Sequence, residues 1–459
     1  MTTLPALALV RDFDSGLMYG ATLDALLAQL RQDLERVADL GAQGRSFEEL
    51  IGEIRSATNR AGLEALRAAT EILDARVPTI EQDGRRLRFR GTAPKNWLTP
   101  FGVMTVERRM YGGTGTGSFA PLDARCGMTG RYMAPQIEDL VCYAAASSTP
   151  VEVEQLLRKA LPAAPSATAI KRVIAETSAR LDEHRDEVEA AIADQQPLDA
   201  GGGTVVASWD GCMVALRGEK RAEWKEAGVG RVSIYQPGRE GPEMIDSRCF
   251  ARMPEPGMHS LVDEVVASVA DLRARGGVQQ LAVICDGKPS IWKTASRIRE
   301  LANAIHILDF YHAMEHVNAA AKVISGGNEV AAKRLAETWR EKLQLEYDGV
   351  DKIIRALKRY ASTRQLRSDQ RVVLVRARKH FMNNRERMRY ADYISRGLPI
   401  GSGPIEAACK TIVQHRLKRS GMTWTTAGGQ HVLNLRALVK SGRWDVAWRT
   451  LQGIDSAST

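Results

Sequence analysis

The sequence predicts a mixed α/β fold: an α/β core interrupted by an all-α insertion, behind a mostly helical N-terminal region that contains a small β unit. Three observations predict it. Short β-branched and apolar runs alternate with helical periodicity over 204–325. A basic, helical stretch at 326–398 separates these runs from a last core helix expected at 403–416. Residues 1–80 place apolar side chains at helical spacing.

The chain of 459 residues is too long for one compact core, so several domains are expected. Pro197 and the glycines at 201–203 form the clearest linker. The predicted domains are an N-terminal helical region (1–80), a small β unit (81–130), a helical region with a possible helix-turn-helix (131–200), the α/β core (204–325), the basic helical insertion (326–398), and the last core helix with a C-terminal helix (399–450).

The composition is typical of a soluble protein with a polyanionic partner. Hydrophobic residues make up 44% and charged residues 26% of the chain, and the net charge is +9. The six cysteines include no C-x-x-C pair, so we expect no zinc knuckle or disulfide framework, and a reduced, cytoplasmic setting. No apolar run reaches the length of a membrane span, about 18 residues, and the N-terminus lacks a signal-peptide pattern.

The N-terminal half is predicted to consist of helices around a short β unit. The helices of 1–80 are interpreted as packing or oligomerising helices rather than as DNA-contacting ones. Strands are expected within 85–111, and the glycine-rich segment 112–117 departs from phosphate-loop patterns, which favours a hairpin loop. Helices are expected at 134–147, 150–160 and 166–195, with Thr149 and Ser166 as N-caps.

The helices at 150–160 and 166–195, joined by a turn with two prolines, have the layout of a helix-turn-helix. In that motif the second helix enters the major groove, where Lys171 and Arg172 near its start would contact DNA. Plain packing of a helix pair explains the same pattern, so the sequence leaves both interpretations open.

The α/β core is predicted to begin with hairpin strands and to continue as β-α-β-α. Strands are expected at 204–209, 212–217, 229–235, 245–251, 281–285 and 304–308, and helices at 259–275, 289–302 and 310–324. Two of these strands end on an aspartate followed by a glycine, at Asp210 and at Asp286. Glu406 falls near the start of the helix at 403–416, with Ser402 or Gly403 as its cap.

Asp210, Asp286 and Glu406 can converge on one point if the strand ends face the last core helix. Three carboxylates at one point repel each other unless a divalent cation lies among them. The set therefore predicts a metal site, of the type in which paired ions clamp the attacking and leaving oxygens of a phosphoryl transfer. Lys410, one turn after Glu406, would pair with that glutamate or touch a substrate phosphate.

Basic residues collect in the insertion and again after Glu406. Residues 371–389 contain seven Arg or Lys against one acid. A solvated helix face is one interpretation, and a surface for the DNA backbone is the favoured one. The predicted DNA contacts are Arg376, Arg378, Lys379 and Arg385 in the insertion and Arg416, Lys418 and Arg419 after the glutamate.

Four motifs give the chain its resemblance to a known family: Ser-Trp-Asp210-Gly, Cys-Asp286-Gly, Asp309-Phe-Tyr-His312 and Gly-Ser-Gly-Pro-Ile-Glu406-Ala-Ala-Cys-Lys. Over roughly 85–450 the chain resembles the DDE transposases of bacterial insertion sequences. It is most similar to the Kra-four insertion-sequence family and, more distantly, to the mutator-like group. The last motif, with the Arg416-Leu-Lys-Arg-Ser-Gly-Met-x-Trp424 stretch behind it, is the most specific part.

The resemblance implies a ribonuclease-H-like catalytic core with a helical insertion before the glutamate. It also implies that Asp210, Asp286 and Glu406 hold two Mg2+ (or Mn2+) ions for in-line attack on phosphorus. Asp309 and His312 would form an Asp-x-x-His element, in which His312 contacts the scissile phosphate or orders the metal site. The alternative for these two residues is a helix-capping aspartate beside a hydrogen-bonded core histidine.

Trp209, Lys288 and Trp292 flank the expected site. They would stack on a splayed base or hold a phosphate, and we include Lys288 among the expected DNA contacts. Ordinary packing or surface roles explain these three residues equally well.

The resemblance implies a DNA transposase that cleaves strands at the element ends and transfers them. Its expected partners are the terminal inverted repeats and target DNA, in a synaptic complex of at least a homodimer, located in the cytoplasm at the nucleoid and not at a membrane. A metal-dependent nuclease of the same fold would use the same carboxylates, so the sequence does not separate the two. A domesticated DNA-binding protein that no longer cuts is a further alternative, against which the three intact carboxylates count.

Overall fold

The first part of the chain forms a helical hairpin followed by a small antiparallel sheet. The computed structural model describes residues 15–82, 84–113, 117–363 and 365–457. Helices α1 (Ser15–Ala42) and α2 (Phe47–Leu73) pack together, and Ser46 caps α2 in a capping box with Glu49. Strands β1 (Thr79–Gln82), β2 (Arg85–Thr99) and β3 (Gly102–Gly112) form a sheet in that order. The expected helices and small β unit are confirmed over these residues.

The predicted glycine-rich hairpin loop lies partly outside the described residues, at 114–116. On either side of it, Tyr111 and Phe119 exchange two backbone hydrogen bonds of 2.8 Å. These bonds close the segment in the way that a hairpin loop requires.

A group of helices follows the small sheet. They are α3 (Pro121–Arg125), α4 (Pro135–Ala145), α5 (Pro150–Ala160), α6 (Ala167–Glu183) and α7 (Arg185–Gln195). Thr149 and Ser166 cap α5 and α6, as predicted, because each side chain accepts a hydrogen bond from the backbone N–H three residues later. The helix expected at 166–195 is interrupted at His184, which leaves helical geometry with φ −104° and ψ 32°. The acidic first turn of α7 favours a new helix start there.

The central sheet has five strands in the order β6-β5-β4-β7-β8. Strands β4, β5 and β6 are antiparallel, and β4, β7 and β8 are parallel. The strands are β4 (Thr204–Leu216), β5 (Glu223–Pro237), β6 (Pro242–Arg252), β7 (Gln280–Cys285) and β8 (Ile305–Leu308), and the helices among them are α8 (His259–Arg275), α9 (Pro289–Ala295) and α10 (Phe310–Ile324). The bounds predicted for the helices at 259–275 and 310–324 are confirmed.

Two predicted boundaries in this region are wrong. The strands expected at 204–209 and 212–217 are one continuous strand, because Gly211 pairs with Gly228 and the ladder between β4 and β5 runs on without a break. The helix expected at 289–302 ends at Ala295, and only a short 3₁₀ turn follows at Arg299–Leu301.

The predicted all-helical insertion is confirmed. Its helices are α11 (Glu329–Leu345), α12 (Gly349–Thr363), α13 (Ser368–Asn384) and α14 (Tyr390–Ser395). Helix α13 packs against both α10 and α12, so the insertion shares an apolar core with the central sheet.

The predicted last core helix is not a regular α-helix. It consists of α15 (Gly403–Ala408), a π-helical segment (Cys409–Gln414) and α16 (His415–Leu417), and is followed by α17 (Thr426–Lys440) and α18 (Trp444–Ala457). Within the π-helical segment, the Ile412 carbonyl accepts a 2.7 Å hydrogen bond from Nε of the buried Arg436, and the Thr411 carbonyl accepts one from its Nη2. These bonds from α17 compensate carbonyls whose helical bonding is altered by the wider turn.

The described chain divides into two compact units. One contains the described residues up to Val188 together with those from Asp445 onward, and the other spans Glu189–Trp444. In the second unit, apolar residues cover both faces of the central sheet: one face packs with α8 and α10, the other with α15–α17. The linker expected at 197–203 lies inside this second unit, directly before β4. None of the helices in the described ranges combines the length and apolar character of a membrane span.

Candidate carboxylate site

Asp210 and Asp286 lie at the same level on neighbouring parallel strands. The last residue pair between β4 and β7 is Ala207 with Val283. Asp210 comes three residues after Ala207, and Asp286 three residues after Val283. The shared register therefore brings the two aspartates to the same level. Asp286 follows β7 directly, as predicted, whereas Asp210 lies within β4 rather than at its end.

The ammonium group of Lys288 lies between these carboxylates and a third one. Its Nζ is 2.6 Å from Oε1 of Glu226, 3.9 Å from Oδ1 of Asp210 and 4.0 Å from Oδ2 of Asp286. The backbone N–H of Lys288 also donates a 3.0 Å hydrogen bond to Oδ1 of Asp286. We call Asp210, Asp286, Glu226 and Lys288 the carboxylate cluster. Lys288 was expected to contact DNA, and in this structure it neutralises acidic side chains.

Sequence reasoning missed Glu226. It lies in the first part of β5, where exposed polar residues hide the strand pattern. A Cβ atom at position 211 would lie 2.1 Å from the Glu226 carboxyl group, so the side chain of Glu226 occupies the space over Gly211. Position 211 is a glycine because any larger residue would clash with the Glu226 side chain. This glycine, directly after Asp210, was the one signal in the sequence that another side chain lies close to the site.

Burial and charge both act on the cluster. The pKa of Asp210 is raised, first by burial and then by the neighbouring charges of Asp286 and Glu226, although the Gly211 N–H and Lys288 act in the opposite direction. Burial alone would lower the pKa of Lys288, but the hydrogen bond to Glu226 and the surrounding carboxylates outweigh it and raise that pKa. Lys288 therefore stays protonated at neutral pH.

Glu406 lies on α15, which packs against β4 and β5. Arg231 donates a 2.9 Å hydrogen bond to the Pro404 carbonyl and so fixes the helix to β5. One turn after Glu406, Sγ of Cys409 is 4.0 Å from Oδ2 of Asp210. The Glu406 side chain itself is exposed. The structure thus brings the helix of Glu406 to Asp210 while the carboxylate faces solvent.

The carboxylate oxygens of this region suit a hard cation such as Mg2+. The ammonium of Lys288 already lies among the three carboxylates of the cluster. Asp210 and Asp286 are the residues that fit such an ion. Within the described residues, however, Asp210, Asp286 and Glu406 do not form a set with one oxygen of each inside 4.8 Å of the others.

Asp309 caps α10 and also fastens the loop before α15. The side chain is 1% exposed, Oδ2 accepts a 2.8 Å hydrogen bond from the His312 N–H, and Oδ1 accepts a 2.7 Å bond from the Ser402 N–H. The helix-capping alternative is confirmed for Asp309. The ring of His312 faces His316 and His380, with centroid distances of 5.5 and 5.4 Å.

The predicted DNA contacts differ widely in exposure. Arg376, Lys379, Lys410 and Lys418 are exposed, and Arg378 and Arg419 are half-buried. Arg385 is exposed and pairs with Asp351 at 2.6 Å. Lys171 and Arg172 are exposed on α6, in the other compact unit, and Arg172 lies 3.6 Å from Glu176. Within the described residues, Lys410 forms no ion pair with Glu406, which leaves its ammonium open to a phosphate.

One expectation for a side chain near the site is wrong. Arg416 is 2% exposed and its guanidinium stacks on Trp424, so it is not available to DNA. Trp209 and Trp292 are 2% and 4% exposed in the core of the central sheet, which agrees with the packing alternative for both residues.

No family model matches the sequence, and no curated protein matches it. Among solved structures, the chain is similar to a Drosophila P element transposase strand transfer complex, at 11% identity and a TM-score of 0.25, over 67% of this chain and 79% of that one.

Proposed function

We propose that this chain is a DNA transposase of a bacterial insertion sequence, with a ribonuclease-H-like catalytic core. One observation carries the proposal: Asp210 and Asp286 lie at one level on adjacent parallel strands, beside the helix that bears Glu406. In the central sheet, the antiparallel strands β6, β5 and β4 are followed by β7 and β8, which run parallel to β4. This strand order supports the assignment of a ribonuclease-H-like core. The helical insertion between α10 and α15 supports it as well, as do the four sequence motifs.

The proposed site works through its acidic residues. Asp210 and Asp286 would hold Mg2+ (or Mn2+), with Glu406 as the third ligand, and two such ions would supply Lewis-acid stabilisation to the attacking and leaving oxygens. Lys288 compensates the carboxylate charge in the metal-free protein. If a cation took over that role, the Lys288 ammonium would become available to a DNA phosphate, which would reconcile the predicted DNA contact with the observed ion pairs.

The proposed DNA surface consists of exposed basic residues in the second compact unit. Arg376 and Lys379 lie on α13, while Lys410 and Lys418 follow Glu406. Such side chains bind the phosphate backbone of any sequence. Recognition of two element ends would need at least two copies of the chain, and α5 with α6 would supply sequence reading if they act as a helix-turn-helix.

A DNA-binding protein that no longer cuts is the second candidate. Two observations favour it: the Lys288 ammonium already lies among the carboxylates of the cluster, and Asp210, Asp286 and Glu406 do not bring one oxygen each within 4.8 Å of the others among the described residues. A metal-dependent nuclease of the same fold would share the site, and only its products distinguish it from a transposase.

The test is Mg2+-dependent cleavage of a DNA fragment that carries the element's own ends. Wild type is compared with Asp286→Asn, which removes a ligand charge, and with Asp263→Asn, an exposed aspartate on α8 that serves as the matched control. We expect wild type and the control to nick the ends and Asp286→Asn to bind without cutting. Equal cutting by Asp286→Asn would show that the site assignment is wrong.

Two further outcomes decide between the alternatives. Binding without cutting in all three proteins would favour the non-cutting DNA-binding protein. Nicked ends that never join to target DNA, under conditions where the nicks expose 3′-hydroxyl groups, would favour the nuclease.

A further inference from the structure

Three histidines come together between α10 and α13, outside the carboxylate cluster. His312 and His316 lie one turn apart on the same face of α10, and His380 comes from α13, which packs against it. The rings of His316 and His380 stack at 3.9 Å with an interplanar angle of 21°. Long stretches of chain separate the two helices, so only the fold of the insertion creates this group.

The nitrogen atoms of the three rings are close enough to share an ion. One ring nitrogen from each histidine lies within 4.8 Å of the others, and no other trio of His, Cys, Asp or Glu in the described residues meets that condition. Around a tetrahedral Zn2+ with Zn–N bonds of about 2.0–2.1 Å, ligand nitrogens stand about 3.3 Å apart. The near-parallel, stacked rings of His316 and His380 cannot both direct an in-plane nitrogen lone pair at one ion, so one of the two rings must turn out of the stack to complete the geometry.

An independent observation points to a ligand at the same place. Nε2 of His380 is buried, and within the described residues it has no hydrogen-bond partner. A buried polar atom without a partner is costly, and native structures rarely leave one. An ion held by the three rings would satisfy this nitrogen.

The charge state of the rings also suits an ion. Burial, followed by the charges of His316 and His312, lowers the pKa of His380 to about 3. The pKa of His316 is lowered too, by burial first and then by the charges of His312 and Arg376, with Glu315 acting in the opposite direction. Neutral imidazole is the form that binds metal ions, so His316 and His380 need not lose a proton to bind one at neutral pH.

A carboxylate next to the cluster orients one of the ligands. Nδ1 of His312 lies 3.4 Å from Oε2 of Glu315, which leaves Nε2 of that ring for an ion. Imidazole sets of this kind select borderline transition metals over Mg2+. We propose that His312, His316 and His380 bind one Zn2+ ion, which fastens α13 of the insertion to α10.

The proposed zinc site adjoins the carboxylate cluster without being part of it. A Cβ atom at Gly287 would lie 2.6 Å from Cε1 of His380, so the His380 ring rests on the residue next to Asp286. A metal that holds His380 would therefore also brace the loop of Asp286. The proposal stands whether or not the chain cleaves DNA.

The test uses the full chain without a histidine tag, stripped with a chelator and then titrated with Zn2+. Calorimetry and elemental analysis after desalting should give one equivalent per chain, and Co2+ in its place should give the visible absorption bands of a tetrahedral site. Excess Mg2+ should not displace the ion. His316→Gln and His380→Gln should weaken binding at least tenfold, and His415→Gln, an exposed histidine elsewhere, should not.

Two controls keep the outcome interpretable. His312→Gln removes a half-exposed ligand and should weaken binding while leaving the circular-dichroism spectrum unchanged, so a folding defect is not mistaken for metal loss. Asp286→Asn should bind Zn2+ as wild type does. Less than a fifth of an equivalent in wild type, or undiminished binding in His316→Gln and His312→Gln, would overturn the proposal.

Discussion

Asp309 is the residue whose replacement should most disturb the link between the central sheet and the helix of Glu406. Its carboxylate accepts hydrogen bonds from the Ser402 and His312 N–H groups, at 2.7 and 2.8 Å. Asp309→Ala leaves the buried Ser402 donor without a partner, at a cost of about 1–3 kcal/mol. It also removes the cap of α10, for about 1 kcal/mol more. We expect a total loss of about 2–4 kcal/mol, a large part of a domain's usual stability.

Urea unfolding of the full chain, followed by circular dichroism, measures this loss. Asp309→Asn keeps one acceptor oxygen, so it should lose about half as much as Asp309→Ala. Asn328→Ala is the matched control, since Asn328 caps the exposed first turn of α11 by accepting a single 3.0 Å bond from the Ala331 N–H, and it should cost about 1 kcal/mol or less. The reasoning fails if Asp309→Ala stays within about 0.5 kcal/mol of wild type, or if the asparagine variant is as unstable as the alanine one.

The remaining predictions concern the carboxylate cluster and the basic surface. Because the pKa of Asp210 is raised in the folded chain, its ionisation destabilises the fold: the penalty is absent well below pH 3.8, grows as pH rises through the raised pKa, and is then constant. Without metal, Asp210→Asn should therefore be more stable than wild type at pH 7, by about 0.5–2 kcal/mol, and equal at low pH, as thermal unfolding can check. Gly211→Ala should displace Glu226 and thereby lower the pKa of Lys288. Amine labelling of Lys288 at pH 8, followed by mass spectrometry, should then be faster than in wild type, while the unfolding midpoint hardly changes. An unchanged labelling rate would contradict the steric argument. Arg376→Ala should weaken binding to all DNA sequences alike and reduce the salt slope by about 1, and a loss confined to one sequence would exclude a backbone contact.

Elements with local signals were predictable from the sequence. Strand β7 is a short apolar run that ends on Asp286, and Thr149 and Ser166 mark the starts of α5 and α6 with their own side chains. Each of these features depends on neighbours a few residues away, which is the range over which a sequence pattern can be interpreted.

Features set by distant partners were not predictable. Strand β4 continues past Asp210 because β5 pairs with it beyond Gly211, and no local pattern reports that pairing. Glu226 enters the site for the same reason. Arg416 looked like part of a basic surface, but its stacking partner Trp424 lies beyond a turn and draws the guanidinium into the core.

The π-helical segment sets the direction in which Glu406 projects relative to the basic end of its helix. A change from π to α hydrogen bonding over Cys409–Gln414 would turn α15 by about one residue, or 100°, relative to the basic end of the helix. Such a rotation would pull Ile405 and Ala408 out of the core that they form with β4 and β5, and would disturb the bond from Arg231 to the Pro404 carbonyl. The bonds from Arg436 to the Thr411 and Ile412 carbonyls resist that change. A buried arginine 30 residues away along the chain (436 − 406) therefore helps to hold the glutamate in its solvent-facing orientation.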